Sequence, residues 1–344
     1  MSRRGVTVGV LGCGQIGAKR ADALAPQDRL VGCCDLNSAA AEQLAARHGA
    51  RVCATPHQLL ALEPEVVIVA AVHDQLARLT EHALAAGAHV LVEKPAGISA
   101  RQIDRLLVCR QISGRLVKVG FNHRFHPGIM RAVEEVHSGR HGELMHVRAR
   151  YGHGGRPGYE REWRAQPERS GGGELIDQGM HLLDLTNWLA GALPLHSALL
   201  RTQFWDAEVE DNAALLLGEP GMRTAPWAML HVSWTEWKNL FSLEIYCRTA
   251  KLQIDGLVRS YGPQRLRIYT MGPELGPPAL EEIHYPAEDG SWSAEWEHFA
   301  AAVESGDGRP LLGDLRSAHD AWQQVEAAYA SDVYADMRLS AALR

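Results

Sequence analysis

The sequence predicts an α/β chain in two parts: a doubly wound parallel sheet over residues 1–122, followed by an α+β domain with a large, mostly antiparallel open sheet over residues 123–344. Three observations carry this. Short apolar runs alternate with helix-like segments as far as residue 122, the pattern of βαβ units. The first run is followed at once by GCGQIG at 12–17. Beyond residue 122 the alternation gives way to strand-like segments of period two, as in an antiparallel sheet with one face on a core.

Each element follows from local chemistry. VTVGVL at 6–11 is a β-type run, and the glycine turn after it leads into AKRADALA, which has helical composition. RLVGCCD ends on Asp35, and NSAAAEQLAARHG reads as a helix with Asn37 or Ser38 as N-cap and Gly49 past its end. EVVIVAAV, HVLVEKP and RLVKVGF are further strands, separated by the helical segments LARLTEHALAAG and SARQIDRLLVCRQISG. In the second part, PGIMRAVEEVHSG is helical, ELMHVRARYG looks like an edge-tolerant strand, and HGGRPGYEREWRAQPERSGGG reads as a long loop. NAALLLG, WAMLHVSWT, FSLEIYC, KLQIDGL and LRIYTM make a meander, and AEWEHFAAAVESG and RSAHDAWQQVEAAYAS are expected to close the second domain as helices.

Composition narrows the function classes. With 46% hydrophobic and 22% charged residues the chain is an ordinary globular protein, and a net charge of -6 gives no reason to expect nucleic acid or an anionic membrane as partner. Cys13, Cys33, Cys34, Cys53, Cys109 and Cys247 include no C-x-x-C pair, so neither a zinc site nor a disulfide framework is indicated. The N-terminus enters a strand without the apolar region of a signal peptide, and no stretch is long enough to span a membrane. The expectation is a cytoplasmic protein with a small polar ligand.

Gly12, Gly14 and Gly17 stand between a strand and a helix, where the turn must be tight, the backbone must approach a pyrophosphate and the helix must offer its first N–H groups. That is the Rossmann fingerprint. Asp35 falls 18 positions after Gly17, at the end of the next strand, where a carboxylate accepts both hydroxyls of an adenosine ribose and repels a 2′-phosphate. NAD rather than NADP is therefore the expected cofactor. Gln15 and Ile16 at the helix start, and Glu93 and Lys94 in EKPAG after a later strand, complete the expected cofactor-binding set.

Residues 171–185 read GGGELIDQGMHLLDL. On a helix the offsets of Asp177, His181 and Asp184 put the three on roughly one stripe, facing a common volume. Taken alone, the segment also fits a buried helix whose polar groups are hydrogen-bonded, and one histidine with two carboxylates could ligate Zn or Mn. Asp184, deeper in LLDLTNWL, is expected to close a hydrogen-bond network. Just upstream, Tyr151, Arg156, Tyr159, Trp163 and Arg164 offer aromatic faces and guanidinium forks suited to a polyhydroxylated ring, with Arg124 in GFNHRFHP as a further candidate. The interleaved Glu160, Glu162 and Glu168 equally fit a charged surface loop.

With GCGQIG, EKPAG, GFNHRFHP and GGGELIDQGMHLLDL in place, the chain resembles the family of glucose-fructose oxidoreductase, inositol dehydrogenase and MocA over nearly its whole length. The resemblance implies that Lys94, Asp177 and His181 work together at the nicotinamide, with no metal. It departs from the family's frequent T-P-N after the fourth strand, where this chain has His73 and Asp74. It implies an NAD-dependent dehydrogenase that oxidises a secondary ring hydroxyl of a sugar or cyclitol, and it extends to amino-sugar and aminoglycoside biosynthesis, where such a ketone precedes transamination. The chemistry agrees: histidine suits a general base near neutral pH, and a lysine beside it stabilises developing alkoxide. An NAD-retaining redox glycosidase and a dinucleotide-sensing regulator are the alternatives. Alternating strands in the second domain would leave apolar residues on an uncovered face, so a homodimer or homotetramer is expected.

Overall fold

The computed structural model describes residues 3–306 and 311–331, which form two compact units. The first comprises the chain up to Asn122 together with Gly290–His319. Its elements begin with β1 (Thr7–Leu11), α1 (Gln15–Asp22), β2 (Arg29–Cys34), α2 (Ser38–His48), β3 (Arg51–Val52) and α3 (Pro56–Leu60). β4 (Val66–Val69), α4 (His73–Ala85), β5 (His89–Val92), α5 (Ala100–Ser113) and β6 (Val117–Val119) follow. The six strands are all parallel in the order β3-β2-β1-β4-β5-β6, so the order reverses between β1 and β4. Ligands of doubly wound sheets bind at that reversal. Val66, Val67, Ile68 and Val69 are all fully buried, as a strand covered on both faces requires. Helix ends are marked locally: Ser99 Oγ accepts the Gln102 N–H to start α5, and Gly114, in the left-handed region, ends it.

The second unit comprises His123–Asp289 and the chain from Asp320 onward. It contains α6 (Pro127–His137), β7 (Leu144–Gly152), α7 (Pro167–Ser170), a π-helical turn at Leu175–Gly179 and α8 (Met180–Ala190). Seven more strands follow: β8 (Leu195–Arg201), β9 (Asn212–Gly218), β10 (Trp227–Ser233), β11 (Leu240–Cys247), β12 (Ala250–Asp255), β13 (Arg265–Thr270) and β14 (Ala279–His284). The eight strands run β14-β13-β12-β11-β7-β10-β9-β8, antiparallel except for the parallel pair β7 and β10. One face packs beneath α6, α8 and the π turn through Val147, Ala149, Leu230, Val232, Leu243 and Ile245. The other face carries Trp227, His146 and Tyr246 as a stacked ladder, with Met229, Leu199 and Leu280 exposed.

Two expectations are corrected. β7 is not an edge strand but lies in the middle of the sheet between β10 and β11, with Val147, Ala149 and Tyr151 pointing to the core and Arg148 pairing outward with Glu244 of β11. The helix α9 (Ser291–Ser305) does not close the second domain; it belongs to the first unit, packing against α1. Glu295, with no solvent exposure, explains why: it pairs with Arg20 at 2.5 Å and Lys118 at 2.6 Å, both of the first unit. α10 (Leu315–Tyr329) starts in the first unit and continues into the second. All six cysteines are free, and among the described residues no helix is long and apolar enough to cross a membrane.

Candidate active site

The glycine turn has the geometry of a dinucleotide cradle. Gly12 takes φ +95°, and a Cβ there would stand 2.5 Å from the Ala70 carbonyl oxygen. A Cβ on Gly17 would stand 1.8 Å from the Gly12 carbonyl oxygen, so only glycine lets α1 close onto β1. At Gly14 no atom lies within 4 Å of an added Cβ, which leaves that side of the turn open to an approaching pyrophosphate. Gly14 is also the N-cap of α1 and supplies no side chain to its first amides; Gln15 is exposed and Ile16 half-buried in that first turn. Asp35 is held at the end of β2 by the N–H groups of Cys13 (2.6 Å) and Asn37 (2.7 Å). The next residue, Leu36, is fully exposed, an apolar surface beside the Asp35 carboxylate. These residues fit NAD.

Glu93 and Lys94 lie just past β5, on the far side of the strand reversal from β2. The Ala96 N–H bonds to the Glu93 carbonyl at 2.9 Å, closing a tight turn in which Lys94 is half-buried and precedes a cis proline. The Glu93 carboxylate accepts from Arg20 Nε at 2.5 Å, and Arg20 in turn reaches Glu295. Burial pushes the Glu295 carboxyl up, but Arg20 and Lys118 outweigh it and hold it below its ordinary value. His73 is buried in the first turn of α4, and Asp74 beside it accepts from Gln75 Nε2 at 3.0 Å.

In the second unit the expected stripe runs from a π turn into the helix that follows it. Asp177 sits in the π turn, where it pairs with Arg164 at 3.3 Å. His181, in the first turn of α8, stacks on His123 with ring centroids 3.8 Å apart. Asp184 is buried and receives both arms of the Arg124 fork at 2.7 Å. The guanidinium expected to meet substrate is thus committed inside the unit, and Asp184 is its partner. Tyr151 stands 5.2 Å from His123 and 5.4 Å from Tyr261, centroid to centroid. Burial drives the Tyr151 hydroxyl well above its ordinary pKa and pushes Tyr261 up to about 12, so both remain proton donors. Gln178 Nε2 donates to the Tyr261 hydroxyl at 3.0 Å.

Of the loop candidates, Tyr159 is buried against Trp205 and Trp234, Trp163 lies under Arg164 at 4.6 Å, and exposed Arg156 pairs with Glu162 at 2.5 Å. Sequence reasoning did not single out Tyr261, which borders Tyr151 here, or its partner Gln178. Gln178 was within reach, being three residues before His181; Tyr261, 80 positions away, carries no local signal.

Comparison with known proteins settles the family. The NAD-binding Rossmann-fold model of the Gfo/Idh/MocA oxidoreductases matches residues 6–121, and a C-terminal-domain model of the same family matches 129–253. The chain belongs to the Gfo/Idh/MocA family. Among curated members it is 32% identical over 199 residues to D-glucoside 3-dehydrogenase of Escherichia coli (strain K12), covering 56% of each chain. It is 28% identical over 222 residues to inositol 2-dehydrogenase of Rhizobium meliloti (strain 1021), covering 62% of this chain and 64% of that protein. The chain thus spans between half and two thirds of these curated members' lengths. Among solved structures, that of GenD2 from gentamicin A biosynthesis, in complex with NAD, superposes with a TM-score of 0.80 over 98% of this chain and 95% of that one, at 24% identity.

Proposed function

We propose that the chain is an NAD-dependent dehydrogenase that oxidises a secondary ring hydroxyl of a sugar or cyclitol to the ketone, with Lys94, Asp177 and His181 as its catalytic residues. The observation that carries this reading is His181: an imidazole 6% exposed, stacked on a second imidazole and bordered by the protonated Tyr151, four residues after the Asp177 carboxylate. That setting suits a base that takes the hydroxyl proton. Bound NAD would supply the acceptor for the hydride leaving the same carbon, giving ketone, NADH and one proton. Lys94 donates to the oxygen as it gains negative charge, and Asp177, braced by Arg164, orients a neighbouring hydroxyl. The ring ketone is the substrate class of an aminotransferase, so amino-sugar or aminoglycoside biosynthesis is the finer version of this reading.

The outer face of the eight-stranded sheet, with Trp227, Met229, Leu199 and Leu280 exposed, supports assembly into a homodimer or homotetramer. Sedimentation as a monomer at micromolar concentration would refute that part.

The test is a screen of sugars, cyclitols and aminoglycoside intermediates for NADH absorbance, repeated with His181→Ala. The substitution is expected to lower kcat by roughly 10²–10⁴ while NAD affinity is unchanged. Wild-type turnover in the variant would remove His181 from the chemistry. Glycoside cleavage without net NADH would point to a redox glycosidase, and ligand-induced binding to a partner without turnover to a regulator.

A further inference from the structure

Two consecutive acids, Glu210 and Asp211, are buried in the second unit and take no part in the chemistry above. The Glu210 carboxylate accepts from the backbone N–H groups of Gly173 at 3.1 Å and Leu175 at 3.0 Å, and from the Tyr329 hydroxyl at 2.8 Å, so it pins the segment that leads into Asp177. The Asp211 carboxylate accepts three successive backbone N–H groups, from Gln203 (3.0 Å), Phe204 (2.8 Å) and Trp205 (3.1 Å). The Asp211 carbonyl accepts from the Trp234 N–H at 2.7 Å. Two adjacent carboxylates therefore fix both the start of the π turn that carries Asp177 and the segment 203–205.

That fixed segment displays Phe204 to solvent, beside Trp237 on the turn after β10. Phe204 is 60% exposed and Trp237 67% exposed, and their rings meet edge to face at 4.8 Å. Phe204 also abuts Trp205 at 5.1 Å, whose indole N–H donates to the Trp234 carbonyl at 3.1 Å. Trp205 lies 5.8 Å from Tyr159, and the Asp177 charge raises the Tyr159 hydroxyl further above the value that burial gives it. An unbroken aromatic path thus runs from the neighbourhood of Asp177 to the open pair. Trp237 lies just past β10, the strand that runs parallel to β7, and so at the same end of the sheet as Tyr151.

A large apolar ring kept exposed on a pinned backbone, as Phe204 is, loses little freedom when it is covered, and Trp237 packs edge to face against it, which suits the pair to binding. The complementary ligand has an apolar face and a polar edge: the C–H face of a pyranose packs on an aromatic ring while its hydroxyls stay in water. Glu236 and Lys238 flank Trp237 in sequence and offer an acceptor and a donor. We propose that Phe204 and Trp237 form a carbohydrate subsite for a second ring, so that the substrate is a glycoside or oligosaccharide oxidised on one ring and held by the next. This deepens the dehydrogenase reading and rests on it for the identity of the first ring.

The experiment titrates the purified protein, without cofactor, with glucose, galactose, cellobiose, maltose and lactose by calorimetry. At least one disaccharide should bind about tenfold tighter than either monosaccharide, the scale of about 1.4 kcal/mol from one stacked ring. Trp237→Ala and Phe204→Ala should each remove most of that preference while leaving monosaccharide affinity and Tm unchanged. In turnover assays the same variants should raise KM for the disaccharide and leave kcat alone. The proposal is overturned if no disaccharide is preferred, if the variants weaken mono- and disaccharides equally, or if they change only the sedimentation coefficient, which would assign the rings to a contact between copies. Preferential binding without any NADH formation would sink the dehydrogenase reading and leave the subsite standing.

Discussion

The buried carboxyl of Glu210 makes stability depend on pH in an unusual direction. Burial pushes it up to about 7, against the pull of Tyr329 and the Leu175 and Gly173 amides, whereas in the unfolded chain it titrates at about 4.5. The folded state therefore favours the protonated form. Its contribution is fully present below about pH 4.5 and is lost as pH rises through about 7. The interval corresponds to roughly 3 kcal/mol, or roughly 6–12 °C in Tm for a unit of this size. Glu210→Gln removes the titration and keeps an oxygen for the Gly173 and Leu175 amides. The assay is urea unfolding of both proteins from about pH 5 to about pH 8, reading the difference between them at each pH so that other titrating groups cancel. The variant should gain on the parent as pH rises, by an amount approaching the figure above. A difference that stays constant across the range would show that Glu210 is ionised throughout and would refute the reasoning.

Other outcomes follow from the same geometry. Gly17→Ala puts its methyl 1.8 Å from a carbonyl oxygen and should lower Tm sharply, whereas Gly14→Ala, with nothing within 4 Å, should leave Tm intact and weaken NAD binding in a fluorescence titration. Equal Tm losses would mean that the open side of the turn is not the cofactor's. Asp35→Ser removes the carboxylate at the ribose and should raise kcat/KM with NADP relative to NAD; unchanged preference would place the specificity elsewhere. Asp184→Ala leaves the buried Arg124 guanidinium without its paired carboxylate and should cost about 3–5 kcal/mol in urea unfolding, while a loss under about 1 kcal/mol would show that water replaces it.

What the sequence made legible was local. A strand, three glycines, a helix and a carboxylate one strand later are all set by neighbours in the chain, and the parallel sheet built on them follows. The stripe at 171–185 was legible as polar groups in an apolar segment, but not in its geometry. The π turn that carries Asp177 begins where Glu210 takes the Leu175 N–H, and no helical periodicity encodes an anchor 35 positions away. Asp184 was readable as structural, yet its partner Arg124 lies 60 positions off. The assignment of α9 failed for the same reason: Arg20 and Glu295, separated by 275 positions, form a pair that no window of sequence contains.

That pair also orders events during synthesis. The ribosome finishes Arg20, Glu93 and Lys118 long before it reaches Glu295, and the intervening second unit takes roughly 10–30 s to make at ordinary elongation rates. Through that interval Arg20 already has Glu93, but the carboxylate that pairs with both Arg20 and Lys118 has yet to be made. The nascent dinucleotide domain must keep Lys118 hydrated and its sheet edge unsealed until the chain returns. A protein whose oldest segment waits for one of its youngest is vulnerable to stalled translation and to truncation in a way that a chain with its domains in series is not.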